Sequence, residues 1–262
     1  MLSIGSILII ALVVSLLFLG CLYAIQRRTG NAGIVDFGWS ATLGILAILY
    51  AILAAGDPLR RLVLGLIAGG WSLRLSWYLL KDRVLVPQED GRYQTLRQHW
   101  GERAQRMLFG FFMAQGGLDV ILSLSFLAVA LNPQPFGSVT DWLAIGLFFI
   151  ALGGESLADR QLAAFRREPS NHGKTCRVGL WRTSRHPNYF FEWLHWWVYV
   201  GLAIGSPHAW LAWPAPFLML YFILYVTGIP PTEAQALASR GEDYRAYQKT
   251  TSAFFPWFPK KV

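Results

Sequence analysis

The chain is built from long apolar runs separated by short basic loops. Seven such runs lie at roughly 4–25, 35–55, 62–80, 107–131, 141–158, 189–205 and 209–227. A stretch of about 20 apolar residues is long enough to cross a bilayer as a helix. Only closed barrels and helices satisfy every backbone N–H and C=O inside lipid, and runs this long are helical. Composition agrees. Of the 262 residues 54% are hydrophobic and only 15% charged, against about 25% charged in a soluble domain. The expected fold is an all-α membrane protein, a bundle of about seven transmembrane helices followed by a C-terminal amphipathic helix. It reads as one integral membrane domain over 1–262 with no internal repeat.

Basic residues fix the expected orientation. With seven spans, Lys and Arg number 2 in 26–34, 6 in 81–106, 7 in 159–188 and 5 after 227, all on one side. The opposite side has Arg60 and Arg61, and Arg74 falls within the third run. Basic loops stay cytoplasmic, so the N-terminus is expected outside and the C-terminus in the cytoplasm. The net charge of +8 sits beside membrane helices, where anionic lipid heads or a phosphorylated ligand are nearer partners than nucleic acid. Cys21 lies in the first run and Cys176 in a loop, with no disulfide framework or CxxC metal spacing. The first run lacks a basic leader and is expected to remain as a helix.

The tail opens with Gly228-Ile229-Pro230-Pro231-Thr232. The prolines are expected to stop the last span and Thr232 to cap a new helix. Leu237, Tyr244 and Tyr247 share one face of it, with Glu233, Arg240, Glu242 and Arg245 between them. The closing Phe254-Phe255-Pro256-Trp257-Phe258-Pro259 reads as an interfacial anchor.

No GxGxxG after a strand, GxxxxGK[ST], HExxH or GxSxG is present, which removes Rossmann, P-loop, zincin and hydrolase readings. The polar segment from Asp159 to Glu192 lies between two apolar runs and ends Ser184-Arg185-His186-Pro187-Asn188-Tyr189. Arg182, Arg185 and His186 immediately precede a helix that Pro187 is suited to begin. Guanidinium groups beside a helix N-terminus make a phosphate site. Asp141 is expected to cap a helix with Thr140. Asp119 is an acid at membrane depth. A second polar loop holds Glu89-Asp90-x-Arg92-Tyr93, where a polarised phenol could donate to a substrate oxygen. Arg74 needs a partner inside the membrane, and Asp36 is the candidate. The 12 Trp, 10 Tyr and 17 Phe could enclose a flat apolar ligand.

Asp159-Arg160-Gln161-Leu162, Gly179-Leu180-Trp181-Arg182 and Arg185-His186-Pro187-Asn188-Tyr189-Phe190-x-Glu192-Trp193 together resemble the C-terminal domain of the steroid 5-alpha-reductase superfamily. The chain is most similar to its bacterial branch of unassigned function, through Glu89-Asp90-x-Arg92-Tyr93, Thr227-Gly228-Ile229-Pro230 and Tyr244-x-x-Tyr247 as well. The likeness covers most of the chain and is strongest from 150 to 259, within a reductase-like C-terminal half over 110–259 that carries the cofactor motifs. It implies seven helices enclosing NADPH, whose hydride reduces a carbon–carbon double bond conjugated to a carbonyl in a lipophilic, steroid- or isoprenoid-like substrate. Through it, Asn188, Glu192, Arg167 and Tyr247 match cofactor residues, and Asp159 falls near a ribose-binding Asp. Arg182, Arg185, His186, Tyr189, Glu233 and Tyr244 complete the expected cofactor site. Steroid reductases handle the substrate carbonyl with a Gln-Glu pair in span two and a Tyr in span three. Here those spans offer Asp36 and Tyr78. Tyr93 and Tyr78, supported by Glu89 and Asp36, are the expected catalytic groups.

Isoprenylcysteine carboxyl methyltransferases and phospholipid methyltransferases also carry Arg-His-Pro-x-Tyr, a later Glu and a Tyr-x-x-Tyr tail. The chain resembles them too, which implies S-adenosylmethionine. A non-enzymatic transporter is a third class, though paired or inverted repeats are missing. The expectation is an enzyme of the bacterial inner membrane acting on a lipophilic small molecule among membrane lipids, with neither nucleic acid nor an obligate protein partner.

Overall fold

The computed structural model describes residues 2–260. Among them the fold is all helical, with no β-strand. Six helical stretches are long and apolar enough to cross a membrane: Ile4–Thr29, Ile34–Leu53, Pro58–Val84, Gly91–Ala130, Val139–Arg167 and Ala209–Thr250. The sequence predicted about seven. The remaining run forms a helix over Pro187–Ala203 of only 17 residues, at the short limit for a crossing. The chain divides into two compact units, Met1–Ser138 with Leu202–Ala215, and Val139–Gly201 with Pro216–Val262.

The first unit holds α1 (Ile4–Thr29), α2 (Ile34–Leu53), α3 (Pro58–Leu79), α4 (Gly91–Trp100) and α5 (Ala104–Ala130). A π-helical turn over Leu80–Val84 extends α3. Helix α2 packs on α3 and α5, and α1 packs on α5. Small residues make the α2–α3 seam tight, as in lipid, where association rests on packing and hydrogen bonds more than on hydrophobic gain. A Cβ on Gly44 would collide with Ser72 Oγ and stand 2.6 Å from Ser72 Cβ. The Ser72 hydroxyl donates to the Ser40 carbonyl at 2.6 Å, and Ser40 and Ser76 share a hydrogen bond of 2.7 Å. Tyr50 and Ser123 join α2 to α5 at 2.9 Å.

Arg60 and Arg61, the two basic residues predicted on the sparsely charged side, are engaged by backbone carbonyls. Arg60 is 1% exposed. It donates from Nη1 to Leu202 O at 2.8 Å, from Nε to Gln134 O at 3.1 Å and from Nη2 to Pro135 O at 3.3 Å. Arg61 donates to the carbonyls of Ala51, Ala54 and Gly56, closing the end of α2. Those carbonyls have no helical partner, and a guanidinium has five donors in a fixed fork. Asp57 caps α3 by accepting from Arg60 N–H at 2.9 Å, with Pro58 in the first turn.

The second unit contains α6 (Val139–Arg167), most of α7 (Pro187–Ala203) and of α8 (Pro214–Tyr221), and α9 (Ile229–Thr250). Asp141 stands in the first turn of α6 rather than at its cap, because the helix begins at Val139; a carboxylate is favourable at that end of the dipole. Two further expectations change at the tail. Pro230 and Pro231 occupy the first turn of α9, where their missing N–H groups cost nothing. The interruption before them is a π-helical turn over Phe222–Val226 followed by Gly228. The Thr232 hydroxyl pairs with Tyr189 at 3.1 Å instead of capping. A continuous 42-residue stretch, Ala209–Thr250, would be roughly 60 Å long at 1.5 Å per residue, twice the hydrocarbon thickness. Its apolar part ends near Val226. Helix α9 therefore lies beyond the span and is amphipathic, burying Ile229, Ala236, Tyr244 and Tyr247. Gly241 bends it, with φ 49° and ψ −121°, a conformation that glycine adopts without a Cβ penalty.

Replacing Arg60 with Ala removes three hydrogen bonds to backbone carbonyls. Unfolding of the detergent-solubilised Arg60→Ala protein is expected at a free energy about 2–3 kcal/mol lower than wild type, and Arg60→Lys should recover only part of that loss.

Candidate functional site

Two polar networks account for most of the residues singled out from the sequence, one in each unit. In the first unit, Asp36 stands in the opening turn of α2. Its Oδ2 accepts from Arg83 Nη1 at 2.5 Å and Arg92 Nη2 at 2.7 Å, and its Oδ1 from the Tyr93 hydroxyl at 2.6 Å. Asp90 caps α4 and binds Arg92 Nε at 3.0 Å and Arg83 Nη1 at 3.2 Å. Asp36 is thus paired with Arg83 and Arg92 rather than with Arg74, since the π-helical turn after α3 brings Arg83 to the head of α2. Glu89 receives Arg97 on both oxygens and the Ala32 N–H at 2.7 Å. Tyr78 is half-buried on α3. These bonds make Asp36, Glu89 and Tyr93 ties that join the α1–α2 loop and the head of α2 to α4. The phenolic proton of Tyr93 is directed at Asp36.

The network of the second unit is centred on Glu233 in the first turns of α9. Its Oε1 accepts from Arg185 Nε at 2.6 Å and from Tyr244 OH at 3.2 Å, and contacts His186 Nε2 at 3.2 Å. Its Oε2 accepts from Gln248 Nε2 at 2.7 Å. Arg185 also donates from Nη1 to Thr251 O at 2.7 Å and Gln248 O at 3.2 Å, the carbonyls left open where α9 ends. The His186 ring stacks on Tyr189 at 5.3 Å with the planes 7° apart. The Tyr247 hydroxyl donates to the carbonyls of Trp181 and Ser184. Ser184 Oγ accepts the His186 N–H at 3.1 Å and donates to Phe254 O at 2.8 Å. The helix expected at Pro187 does start there.

Arg185, His186, Tyr189, Glu233, Tyr244 and Tyr247 therefore converge, as the sequence suggested. Gln248 and Ser184 belong to the same network and were missed, having no charge or motif to single them out. Arg167 and Arg182 are exposed and stand outside it. Arg185 commits its Nε and Nη1 to protein acceptors, so it positions Glu233 and the end of α9. Asn188 Nδ2 donates to Asp159 Oδ1 at 3.3 Å, while Asn188 Oδ1 is buried and has no partner among the described residues. Glu192 accepts from Trp196 Nε1 at 3.3 Å. Asn188 and Glu192, one turn apart, are engaged with different neighbours.

Burial and bonding set the two titrating groups at the centre. Burial holds His186 below its ordinary value, and the Glu233 hydrogen bond only partly opposes this. Burial raises Glu233, but hydrogen bonds from His186, Arg185 and Gln248 together with the Arg185 charge outweigh it, bringing the carboxyl to about 2. The neutral imidazole and the carboxylate thus share a hydrogen bond.

Both shifts have the same consequence for acid. The unfolded state takes up protons at His186 from near pH 6.5 downwards and the folded state resists, so stability falls with pH there. The contribution of Glu233 is complete above its ordinary 4.5 and is lost as pH drops towards about 2. A thermal-unfolding series in detergent should show the midpoint dropping from near pH 6.5, and His186→Asn should remove that first phase. Tyr93→Phe should lower stability by about 1.5–3 kcal/mol through loss of a bond to a charged acceptor; an unchanged unfolding midpoint would mean the bond to Asp36 contributes nothing.

No solved structure matches the chain. A protein of Schizosaccharomyces pombe (strain 972), "Uncharacterized protein C594.04c", is 26% identical over 274 residues, covering 95% of this chain and 79% of that protein. The family model described as "Protein of unknown function (DUF1295)" matches residues 22–251. That span reaches from before Asp36 to beyond Gln248, taking in nearly all of both networks, and the chain belongs to the DUF1295 family.

Proposed function

We propose that this membrane protein is an NADPH-dependent reductase of an activated carbon–carbon double bond in a lipophilic, steroid- or isoprenoid-like carbonyl compound. The observation that carries the reading is the unpaired Asn188 Oδ1 at the head of α7. A buried acceptor left without a donor costs about 1–3 kcal/mol. The carboxamide N–H of a nicotinamide would supply the missing donor. Asp159, bonded to the same side chain, is the ribose candidate, and the exposed Arg167 and Arg182 are available to phosphates. Arg185 serves instead to hold Glu233. Bound NADPH would supply a hydride to the β-carbon, and the enolate so formed would take a proton from solvent at its α-carbon as the product leaves. An apolar surrounding excludes water and strengthens polarisation of the substrate carbonyl.

One observation favours a second reading. His186, Tyr189, Glu233, Tyr244 and Tyr247 are the residues shared with the isoprenylcysteine and phospholipid methyltransferases, and they lie in one network. Its centre is a carboxylate rather than a cluster of free cations, which suits S-adenosylmethionine better than a polyphosphate.

Titration of the full-length protein in mild detergent with NADPH and with S-adenosylmethionine separates the two. The reductase reading expects NADPH to bind and Asn188→Ala to weaken it roughly tenfold, about 1.4 kcal/mol. Binding of S-adenosylmethionine alone would transfer the assignment to the methyltransferase.

A further inference from the structure

Beyond α9 the chain turns back on itself, and the turn creates a cavity bordered on one side by Arg185 and Gln248 of the Glu233 network. Backbone bonds hold the segment in place. Arg185 N–H donates to Ser252 O at 2.8 Å, Trp257 N–H to Thr183 O at 2.9 Å and Lys260 N–H to Thr250 O at 2.8 Å. The partly open space so formed has a volume of about 370 Å³. Its charged lining is Arg185, Lys249 and Lys260, with no Asp or Glu among the lining residues. Arg185 has a side chain 11% exposed and is paired with Glu233, so it forms a fixed wall. The exposed Lys249 and Lys260 supply charge that has no acidic partner among the described residues. Trp257 and Phe258 complete the rim, 72% and 82% exposed.

We propose that this cavity binds the phosphate headgroup of an anionic phospholipid. Charge complementarity selects an anion, and the aromatic pair selects its source. On a membrane protein Trp is enriched at the headgroup level, where its amphipathic ring sits, and Phe258 beside it adds apolar surface. Trp257 and Phe258, packed edge to face at 6.4 Å, would enter the interface while Lys249 and Lys260 reach the phosphate from the protein side. A free phosphate ion would give those rings no role. The proposal is independent of the reductase reading, since neither lysine belongs to the Asn188 or Glu233 networks.

The test uses full-length protein in detergent titrated with short-chain phosphatidylglycerol, with phosphatidylcholine and inorganic phosphate as comparators, read by native mass spectrometry. Wild type should retain phosphatidylglycerol in preference to phosphatidylcholine. The Lys249→Gln/Lys260→Gln double variant should bind it roughly 30-fold more weakly, from about 1 kcal/mol per basic residue near a membrane surface, with its melting midpoint unchanged. Trp257→Ala/Phe258→Ala should weaken lipid retention as well. Equal retention of the two lipids by wild type, or undiminished phosphatidylglycerol binding by the lysine variant, would overturn the proposal. So would complete displacement of the lipid by millimolar inorganic phosphate, which would make this a free-anion site. NADPH affinity measured on the same lysine variant should not move, so loss of lipid binding and loss of cofactor binding are read separately.

Discussion

Glu233 is the acceptor on which the polar part of the second unit depends. Its two oxygens gather Arg185, His186, Tyr244 and Gln248, groups that come from the segment before α7 and from the part of α9 beyond its bend at Gly241. A carboxylate half-sheltered from water is costly unless every lone pair is used, and here four neighbours use them. The arginine that neutralises it also closes the open carbonyls at the end of α9. One ion pair therefore fixes the entry to α7, the exit from α9 and, through Ser184 and Ser252, the returning tail.

The first unit satisfies its polar groups in a different form. Its acidic residues at the starts of α2 and α4 are each met by more than one arginine donor or by a backbone N–H, and Arg60 and Arg61 satisfy backbone carbonyls. In lipid there is no water to take that place. Charges near the ends of these helices are thus engaged by one another or by the backbone, which is why a count of basic residues alone overstates how many are available to a ligand.

The helical class, most helix boundaries and the amphipathic nature of α9 were legible because hydropathy over 20 residues and a 3.6-residue period survive any tertiary context. The convergence of Arg185, His186, Glu233, Tyr244 and Tyr247 was also readable, as a motif set. Pairing was not. Asp36 was assigned to Arg74 by depth, but a π-helical turn, which has no clear sequence signature, delivers Arg83 instead. The prolines before Thr232 read as a stop and serve as a start, because Pro ends a helix that precedes it and begins one that follows. The roles of Arg167, Arg182 and Arg185 looked alike in the sequence; only the fold separates two exposed side chains from one committed to Glu233.

The contact of Gly44 with Ser72 has a mechanical meaning. Two helices that meet with no clearance, and are cross-linked by Ser40, Ser72 and Ser76, cannot slide or roll past each other without breaking those bonds at once. They behave as a single stiff plank within the first unit. Any widening of that unit to admit a bulky hydrophobic guest must open along a looser seam.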